Sequence, residues 1–212
     1  MIFLVFEGLD GSGKSSLMKQ LEDYLTTKAI AFIKTREPGG TALGDQLRHL
    51  ILDKSLTPPP SSRTELLMYE ASRAQHVDYV IQPALQNNKW VLCDRFSASS
   101  VAFQAGGRNI SRAQVDWLND FATNSLKPHL QILLDLTVEE SRKRRQKRAD
   151  QVGGDEDRIE SEADDFHQRV RQGFLQQAQE SPKEWLVLDA ALSPEILFQH
   201  LLGELKGRQW LA

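Results

Sequence analysis

The chain has 212 residues and a formal net charge of −3 at pH 7, with 26% charged and 40% hydrophobic residues. This length suits one α/β domain with a small insertion, and the near-neutral charge argues against a protein that coats nucleic acid or an anionic membrane surface. The single cysteine, Cys93, excludes an internal disulfide and a clustered thiolate metal site.

The chain begins with an apolar run at residues 2–6, which has the length and character of a buried strand. No basic leader or signal-peptide core precedes this run, and no later apolar run has the length of a membrane span. We therefore expect a cytoplasmic enzyme in a reducing compartment, with no membrane partner.

A phosphate-binding loop follows directly at residues 8–15, which read GLDGSGKS. A strand that ends at a glycine-rich turn and opens into a helix aims backbone N–H groups at one point, where the helix dipole also favours negative charge. Lys14 is expected to reach the β- and γ-phosphates, and the Ser15 hydroxyl to coordinate Mg²⁺. A turn without a ligand is the ordinary alternative. The expected polyphosphate-binding residues are Gly8, Leu9, Asp10, Gly11, Ser12, Gly13, Lys14, Ser15 and Ser16.

Four further apolar runs predict strands, at residues 31–35, 90–93, 131–136 and 185–188. Because the segments between them are long enough for helices, the pattern predicts a five-stranded parallel α/β sheet flanked by helices. In such sheets, ligands bind outside the carboxyl ends of the strands. The polar residues at these ends are therefore expected to surround one cleft: Glu7, Arg36, Glu37, Asp94, Arg95, Asp135 and Asp189.

Residues 57–62, TPPPSS, predict a polar loop that ends one helix and caps the next. Apolar residues recur at helical spacing from 63 to 86, which predicts a long helix that Pro83 and Asn87 disturb.

The pair Asp94-Arg95 follows the third predicted strand and is expected to lie beside the phosphate loop. The carboxylate could orient Mg²⁺ through water or accept a proton from an attacking nucleophile. The guanidinium could bind an anionic acceptor with two hydrogen bonds. A surface ion pair is the ordinary alternative.

Residues 142–148, RKRRQKR, form the densest charged segment, and a glycine-rich acidic stretch follows at 153–157. Three interpretations are open: a solvated helical face, a nucleic-acid-binding patch, or a lid that closes over a transferring phosphoryl group and excludes water. The lid agrees best with the phosphate loop.

In their order along the chain, these motifs resemble those of the thymidylate kinase family, specifically its bacterial form. They are the phosphate loop, TREPGGT at 35–41, ASRAQH at 71–76, DRF at 94–96 followed by Ser99 and AFQ, and DRIE at 157–160. The resemblance covers nearly the whole chain. It implies a P-loop NTPase fold in which residues 1–212 form a single domain with a mobile lid at about 142–158.

The implied reaction is Mg²⁺-dependent transfer of the ATP γ-phosphoryl group to dTMP, giving dTDP and ADP. ATP and Mg²⁺ are the implied cofactors, with Ser15 and Asp94 at the metal, and the implied assembly is a homodimer. An apolar stripe around Leu66, Leu67 and Val77 could form the dimer interface.

The family's acceptor site transfers onto matching positions of this chain. Tyr69 lies one helical turn before Arg73, so an aromatic ring could stack on the base while a guanidinium donates to a base carbonyl. Relatives usually carry Phe where this chain has Tyr69. The implied dTMP-binding residues are Asp10, Glu37, Pro38, Arg48, Tyr69, Arg73, Arg95, Ser99, Ser100 and Gln104.

Some family members carry a catalytic arginine in the phosphate loop, and others carry it in the lid. This loop has no arginine between Gly8 and Gly13, so the resemblance implies that the lid supplies one. The candidates are Arg142, Arg144, Arg145, Arg148 and Arg158. We take Arg145 and Arg148 as the catalytic candidates, together with Lys14, Asp94 and Arg95.

Three alternatives compete with this assignment. Another nucleoside monophosphate kinase or a deoxynucleoside kinase would share the fold. A GTPase would need an Asn-Lys-x-Asp segment, which the sequence lacks. A non-catalytic ATP-dependent nucleic-acid-binding module is supported only by the basic run, so dTMP is the expected partner and nucleic acid is not.

Overall fold

The computed structural model describes residues 1–153 and 156–211. Five parallel strands form one sheet in the order β2-β3-β1-β4-β5. Each predicted strand is confirmed, with bounds that differ by at most one residue at either end. The strands are β1 (Phe3–Glu7), β2 (Phe32–Arg36), β3 (Trp90–Asp94), β4 (Leu130–Asp135) and β5 (Trp185–Asp189).

Helices fill the intervals between the strands, as the alternating pattern predicted. They are α1 (Lys14–Thr27), α2 (Ala42–Leu52), α3 (Ser62–His76), α4 (Gln82–Gln86), α5 (Ser97–Ser100), α6 (Arg112–Thr123), α7 (Val138–Val152), α8 (Asp164–Glu180) and α9 (Pro194–Gly207). Two π-helical segments, Val77–Ile81 and Val101–Gly107, continue α3 and α5. Within the described residues, no helix is long and apolar enough to cross a membrane.

Side chains of β1 alternate between the two faces of the sheet, and each face has its own part of the hydrophobic core. Leu4 and Phe6 pack with residues of α1 and α9 on one face. Phe3 and Val5 pack on the other face with apolar residues of the Val77–Ile81 segment. Both faces are therefore covered, which is the expected environment of a parallel sheet.

The helix predicted over 63–86 is present, but its interior differs from the expectation. It begins at Ser62, where the Ser61 side chain accepts a hydrogen bond from Thr64 N, and the preceding polar loop is confirmed. Pro83 does not end the helix. It lies in the first turn of α4, where the chain returns from π- to α-helical geometry. Proline is tolerated in a first turn, because its missing N–H is not needed there for an intrahelical hydrogen bond.

Part of the predicted lid lies outside the described residues, namely Gly154 and Asp155, as does Ala212 of the expected domain. The basic run at 142–148 lies on α7. Its N-terminal Thr137 accepts a hydrogen bond from Glu140 N, which caps the helix directly after β4.

Candidate active site

The turn between β1 and α1 adopts a conformation that requires glycine at its first position. Gly8 has φ 133°, and a Cβ on it would lie 2.5 Å from the carbonyl oxygen of Leu134 in β4. The chain therefore passes close to the neighbouring strand before it opens into α1, which begins at Lys14. This is the strand-turn-helix geometry that the phosphate-loop motif predicted.

Lys14 lies folded along this loop. Its ammonium donates to the carbonyl oxygens of Gly8 and Leu9 at 3.1 and 3.2 Å. Burial lowers the pKa of Lys14, and the positive charge of Arg95 acts in the same direction, against nearby carboxylates. Leu9 itself packs in the core, so only its backbone faces the loop.

Asp94 and Ser15 line a common groove at the end of β3. Asp94 Oδ1 is buried and has no hydrogen-bond partner among residues 1–153 and 156–211. Carboxylate and hydroxyl oxygens are the ligands that Mg²⁺ takes beside nucleotide phosphates. The residues present therefore fit the expected metal.

A second groove follows the loop on the side of β5. Residues of α1, of the β5–α9 connection and of α7 contribute to it. They are Ser12, Gly13, Ser16, Leu17, Arg144, Ala190, Leu192, Pro194 and Leu197. Its position beside the phosphate loop and its apolar wall suit a nucleotide base.

All ten residues that the resemblance assigned to the acceptor line a single pocket. Four residues outside that set also line it: Leu52, Phe103, Asp157 and Ile159. Two of these, Asp157 and Ile159, belong to the DRIE segment at the C-terminal end of the expected lid.

Arg95 defines the cationic end of the pocket. Its Nη2 donates to Asp10 Oδ1 at 3.0 Å, and its Nη1 donates to Ser99 Oγ at 3.4 Å. Although burial opposes ionisation of Asp10, the charges of Arg95 and Lys14 hold the pKa of this carboxyl well below its usual range. Arg48 also reaches the pocket and donates to the carbonyl of Pro38 at 3.3 Å.

Glu7, which the sequence analysis placed only near the cleft, contacts the residues that follow Arg95. Its Oε1 accepts from Phe96 N at 3.0 Å, and its Oε2 accepts from Ser99 Oγ at 2.6 Å. Through these two hydrogen bonds, Glu7 fixes the turn that carries Arg95. Burial raises the pKa of Glu7 to about 7, although Arg95 acts in the opposite direction.

Arg73 defines the opposite end of the pocket and is only 1% exposed. Five acceptors surround its guanidinium. Nε donates to Glu37 Oε2 at 2.8 Å, and Nη2 donates to Phe96 O at 3.0 Å. Nη1 lies 2.6–2.9 Å from acceptors on the side chains of Glu70, Ser100 and Asn119. Within the described part of the chain, the second Nη2 hydrogen has no acceptor. One directed donor therefore remains for a ligand.

Tyr69 lies beside Arg73 in the pocket wall, as the spacing of one helical turn predicted. It is half-buried, and burial together with the Glu65 carboxylate raises the pKa of its phenol. The ring is therefore neutral and available for stacking.

The five lid arginine candidates lie in different environments. Arg142 pairs with Asp164 and Arg148 with Glu160, and both side chains are largely exposed. Arg144 lies in the second groove and pairs with Glu140. Arg158 donates to Glu65 and to Ile51 O. Arg145 is the buried one of the five, and its Nε pairs with Glu156 at 3.3 Å. Arg144 and Arg145 both lie against the phosphate loop, with Arg144 Cβ 3.2 Å and Arg145 Cγ 3.7 Å from where a Cβ on Gly11 would lie.

These ion pairs help to decide whether the basic run at 142–148 could be a nucleic-acid-binding patch. Five of its cations have carboxylate partners within 4.0 Å, namely Arg142, Lys143, Arg144, Arg145 and Arg148. The interleaved carboxylates reduce the positive field that nucleic-acid binding needs. These ion pairs therefore weigh against the nucleic-acid-binding interpretation of the basic run.

Sequence reasoning missed several buried residues that hold the site together. Glu65, Glu70 and Asn119 contact Arg73, Gln104 or Arg158 but do not lie in any of the quoted motifs. These partners of Glu65 and Asn119 lie 39 or more positions away in the sequence, so no local pattern shows these contacts. Glu70 lies three positions before Arg73 on the same helix, and that spacing was a signal that could have identified it.

Comparison with known proteins agrees with this geometry. The family model described as thymidylate kinase matches residues 6–201. A thymidylate kinase from Bdellovibrio bacteriovorus is 62% identical over 211 residues, covering 100% of this chain and 98% of the relative. One from a Nostoc species is 43% identical, with 99% and 98% covered. The crystal structure of thymidylate kinase from Ehrlichia chaffeensis superposes with a TM-score of 0.73 at 29% identity, covering 96% of this chain and 98% of that one.

Replacing Arg73 with methionine is expected to lower the free energy of unfolding by roughly 3–5 kcal/mol near neutral pH, because Glu37 and Glu70 would stay buried without their cation. Urea unfolding near neutral pH measures this loss.

Arg112→Met is the matched control, because Arg112 pairs with Asp116 on the exposed face of α6. Its loss should be about 0.5 kcal/mol or less. Equal losses for the two variants would contradict the dependence of the fold on Arg73.

Proposed function

The chain belongs to the thymidylate kinase family, and we propose roles in that family's reaction for the residues of the pocket, the phosphate loop and α7. The protein is an ATP- and Mg²⁺-dependent phosphotransferase that converts dTMP and ATP to dTDP and ADP. The observation that carries the assignment of roles is the single pocket beside the phosphate loop, which joins a cationic end to an end with directed hydrogen-bonding groups.

On the donor side, we assign the phosphates of ATP to the N–H groups of the phosphate loop and to Lys14. Ser15 and Asp94 would hold Mg²⁺, which when bound neutralises charge on the β- and γ-phosphates. Lys14 would exchange its contacts with Gly8 O and Leu9 O for phosphate oxygens. The second groove, which includes Ala190, would take the adenine.

On the acceptor side, Arg95 and Arg48 would hold the 5′-phosphate of dTMP. Asp10 keeps Arg95 in position through the 3.0 Å contact and carries a fixed negative charge into the pocket. That charge would repel a second phosphate on the sugar. Phosphoryl transfer then relies on positioning and on electrostatic stabilisation, without a covalent enzyme intermediate.

At the base end, the free Nη2 hydrogen of Arg73 would donate to a thymine carbonyl, and the Gln104 amide oxygen would accept the imide N–H. Tyr69 would stack on the ring, and Glu37 and Pro38 would form the wall. Cytosine offers the opposite arrangement, with an amino donor and a ring-nitrogen acceptor, so it would leave the same groups unpaired.

We assign the lid to residues 142–158, within one domain that spans 1–212. Arg145 would stabilise the charge on the phosphoryl group in flight. In its position, Nη1 donates to Ser141 Oγ at 3.3 Å, and Ser141 Oγ in turn donates to Asp10 O at 2.7 Å. The lid helix is therefore tied to the phosphate loop one helical turn from the proposed catalytic group.

A coupled assay for ADP release tests the substrate. With Mg-ATP, we expect turnover that depends strongly on dTMP, is weaker with dUMP, and is near background with dCMP, dGMP, AMP or buffer. ADP release that is indifferent to every monophosphate would contradict the assignment and would favour a non-catalytic or differently coupled ATPase.

Arg145→Ala is expected to lower kcat by about 10³-fold, because an arginine that acts on the transferring group is worth that much, with little change in KM for dTMP. Lys143→Ala is the matched control, since Lys143 lies exposed on the same helix and pairs with Glu139. A normal kcat for Arg145→Ala, together with a large loss for Arg148→Ala, would assign the role to Arg148 instead.

We also propose that the protein is cytoplasmic and forms a homodimer through α6 and the neighbouring α3. Trp117 and Phe121 are stacked on the surface of α6, 66% and 75% exposed, and Leu67 on α3 is 56% exposed. An apolar aromatic surface of this kind is typical of an interface between proteins. The sequence left open whether the stripe around Leu66, Leu67 and Val77 belongs to an interface or to the core. Leu66 and Val77 are buried in the core, so only Leu67 is available to the proposed interface.

Phe121→Glu is expected to convert the dimer to a monomer, because a charge would be buried at the centre of the proposed interface. Sedimentation velocity at micromolar protein concentration measures the change. Ile196→Glu, at an exposed position of α9, should remain dimeric. A monomeric wild-type protein, or a dimer that survives Phe121→Glu, would contradict this interface.

A further inference from the structure

Glu65 lies in the first turn of α3, one helical turn before Tyr69, and its side chain is 1% exposed. Its carboxylate accepts four hydrogen bonds. Oε1 accepts from Gln104 Nε2 at 3.0 Å and from Arg108 Nε at 3.1 Å. Oε2 accepts from Arg108 Nη2 at 3.0 Å and from Arg158 Nη2 at 2.6 Å.

Two guanidinium groups keep this carboxylate ionised. Burial alone would raise the pKa of Glu65, but the hydrogen bonds and charge of Arg108, with further hydrogen bonds from Gln104 and Arg158, lower it below its ordinary value. Arg158 is itself held by Ile51 O, at 2.8 Å from Nε. An ionised carboxylate has no hydrogen to donate, so every neighbour must present a donor to it.

The need to present a donor to Glu65 fixes the orientation of the Gln104 side-chain amide. The amide has a donor end and an acceptor end of nearly the same shape, and only the NH₂ end can face Glu65. The amide oxygen then has no donor among the described residues. Gln104 lines the acceptor pocket beside Tyr69 and Arg73, so this oxygen is available to a bound base.

We propose that Glu65 is a positioning residue for base selection, which holds the Gln104 amide so that its oxygen, and not its nitrogen, meets the base. The proposal rests on the function proposed above and adds the residue that determines selection at the ring nitrogen. Glu65 does not touch the nucleotide, and it acts through Gln104.

The chemical consequence is discrimination between two classes of pyrimidine. Thymine carries a donor at N3 and a carbonyl acceptor at C4, which match the Gln104 oxygen and the free Arg73 hydrogen. Cytosine carries an acceptor at N3 and an amino donor at C4. If the amide were free to turn, its NH₂ group could donate to the cytosine ring nitrogen and remove one of the two mismatches.

The test is the ratio of kcat/KM for dTMP to kcat/KM for dCMP in Glu65→Gln. The substituted side chain can donate as well as accept, so it no longer dictates which end of Gln104 faces the base. We expect the ratio to fall by about 10- to 100-fold, the effect of one hydrogen bond exchanged for an unpaired group. A purely structural defect would lower both kcat/KM values together and leave the ratio unchanged.

Gln104→Met provides the second arm, because methionine has a similar length and no amide. It should lower the ratio by a similar factor, and adding Glu65→Gln in that background should change the ratio by no more than about twofold, since the pair acts as one unit. Glu204→Gln is the matched control: Glu204 pairs with Arg208 on α9, and the variant should keep the wild-type ratio.

An unchanged ratio in folded Glu65→Gln would overturn the proposal, as would effects of the two substitutions that multiply in the double variant. If thermal melting shows that Glu65→Gln does not fold, Gln104→Met still decides: a wild-type ratio in that variant overturns the proposal. Failure of the wild-type protein to turn over dTMP at all would instead contradict the proposed function.

Discussion

The burial of the Arg73 guanidinium is the constraint on which the acceptor pocket depends. A cation removed from water is tolerated only when carboxylates and carbonyls take up its charge and its N–H groups. Here the acceptors come from the end of β2, from α3, from the turn after β3, from α5 and from α6. The segments must therefore meet at one point for the protein to fold, and that point forms the base end of the pocket.

The cationic end of the pocket is built in the same way. Arg95 has a positive φ of 68° and lies between Glu7 and Asp10, with Glu7 holding the turn that carries it. Carboxylates thus fix both functional guanidinium groups before a nucleotide arrives. Groups oriented in advance need little reorganisation when charge moves from donor to acceptor, which is the main source of stabilisation in phosphoryl transfer.

Features of the structure that depend on residues close together in the sequence could be predicted. Features that depend on contacts between distant residues could not. The strands, the loop at 8–15 and the helical spacing of Tyr69 and Arg73 follow from patterns within a few residues. Asn119 could not be recognised in this way, because it contacts Arg73 across 46 positions of sequence. Leu66 and Leu67 are adjacent and so lie on different sides of α3, and periodicity alone does not say which side faces solvent.

Arg158 illustrates the same difference and links the two halves of the site. Its charge placed it among the candidates for the lid, yet it is bound to Glu65 and to Ile51 O. Its sequence neighbours Asp157 and Ile159 line the acceptor pocket. The C-terminal end of the lid and the residues directly after it therefore form part of the acceptor wall and are anchored to the helix that carries Tyr69 and Arg73. A displacement of this segment would change both the lid attachment and the pocket wall, so the donor and acceptor halves of the site share one structural support.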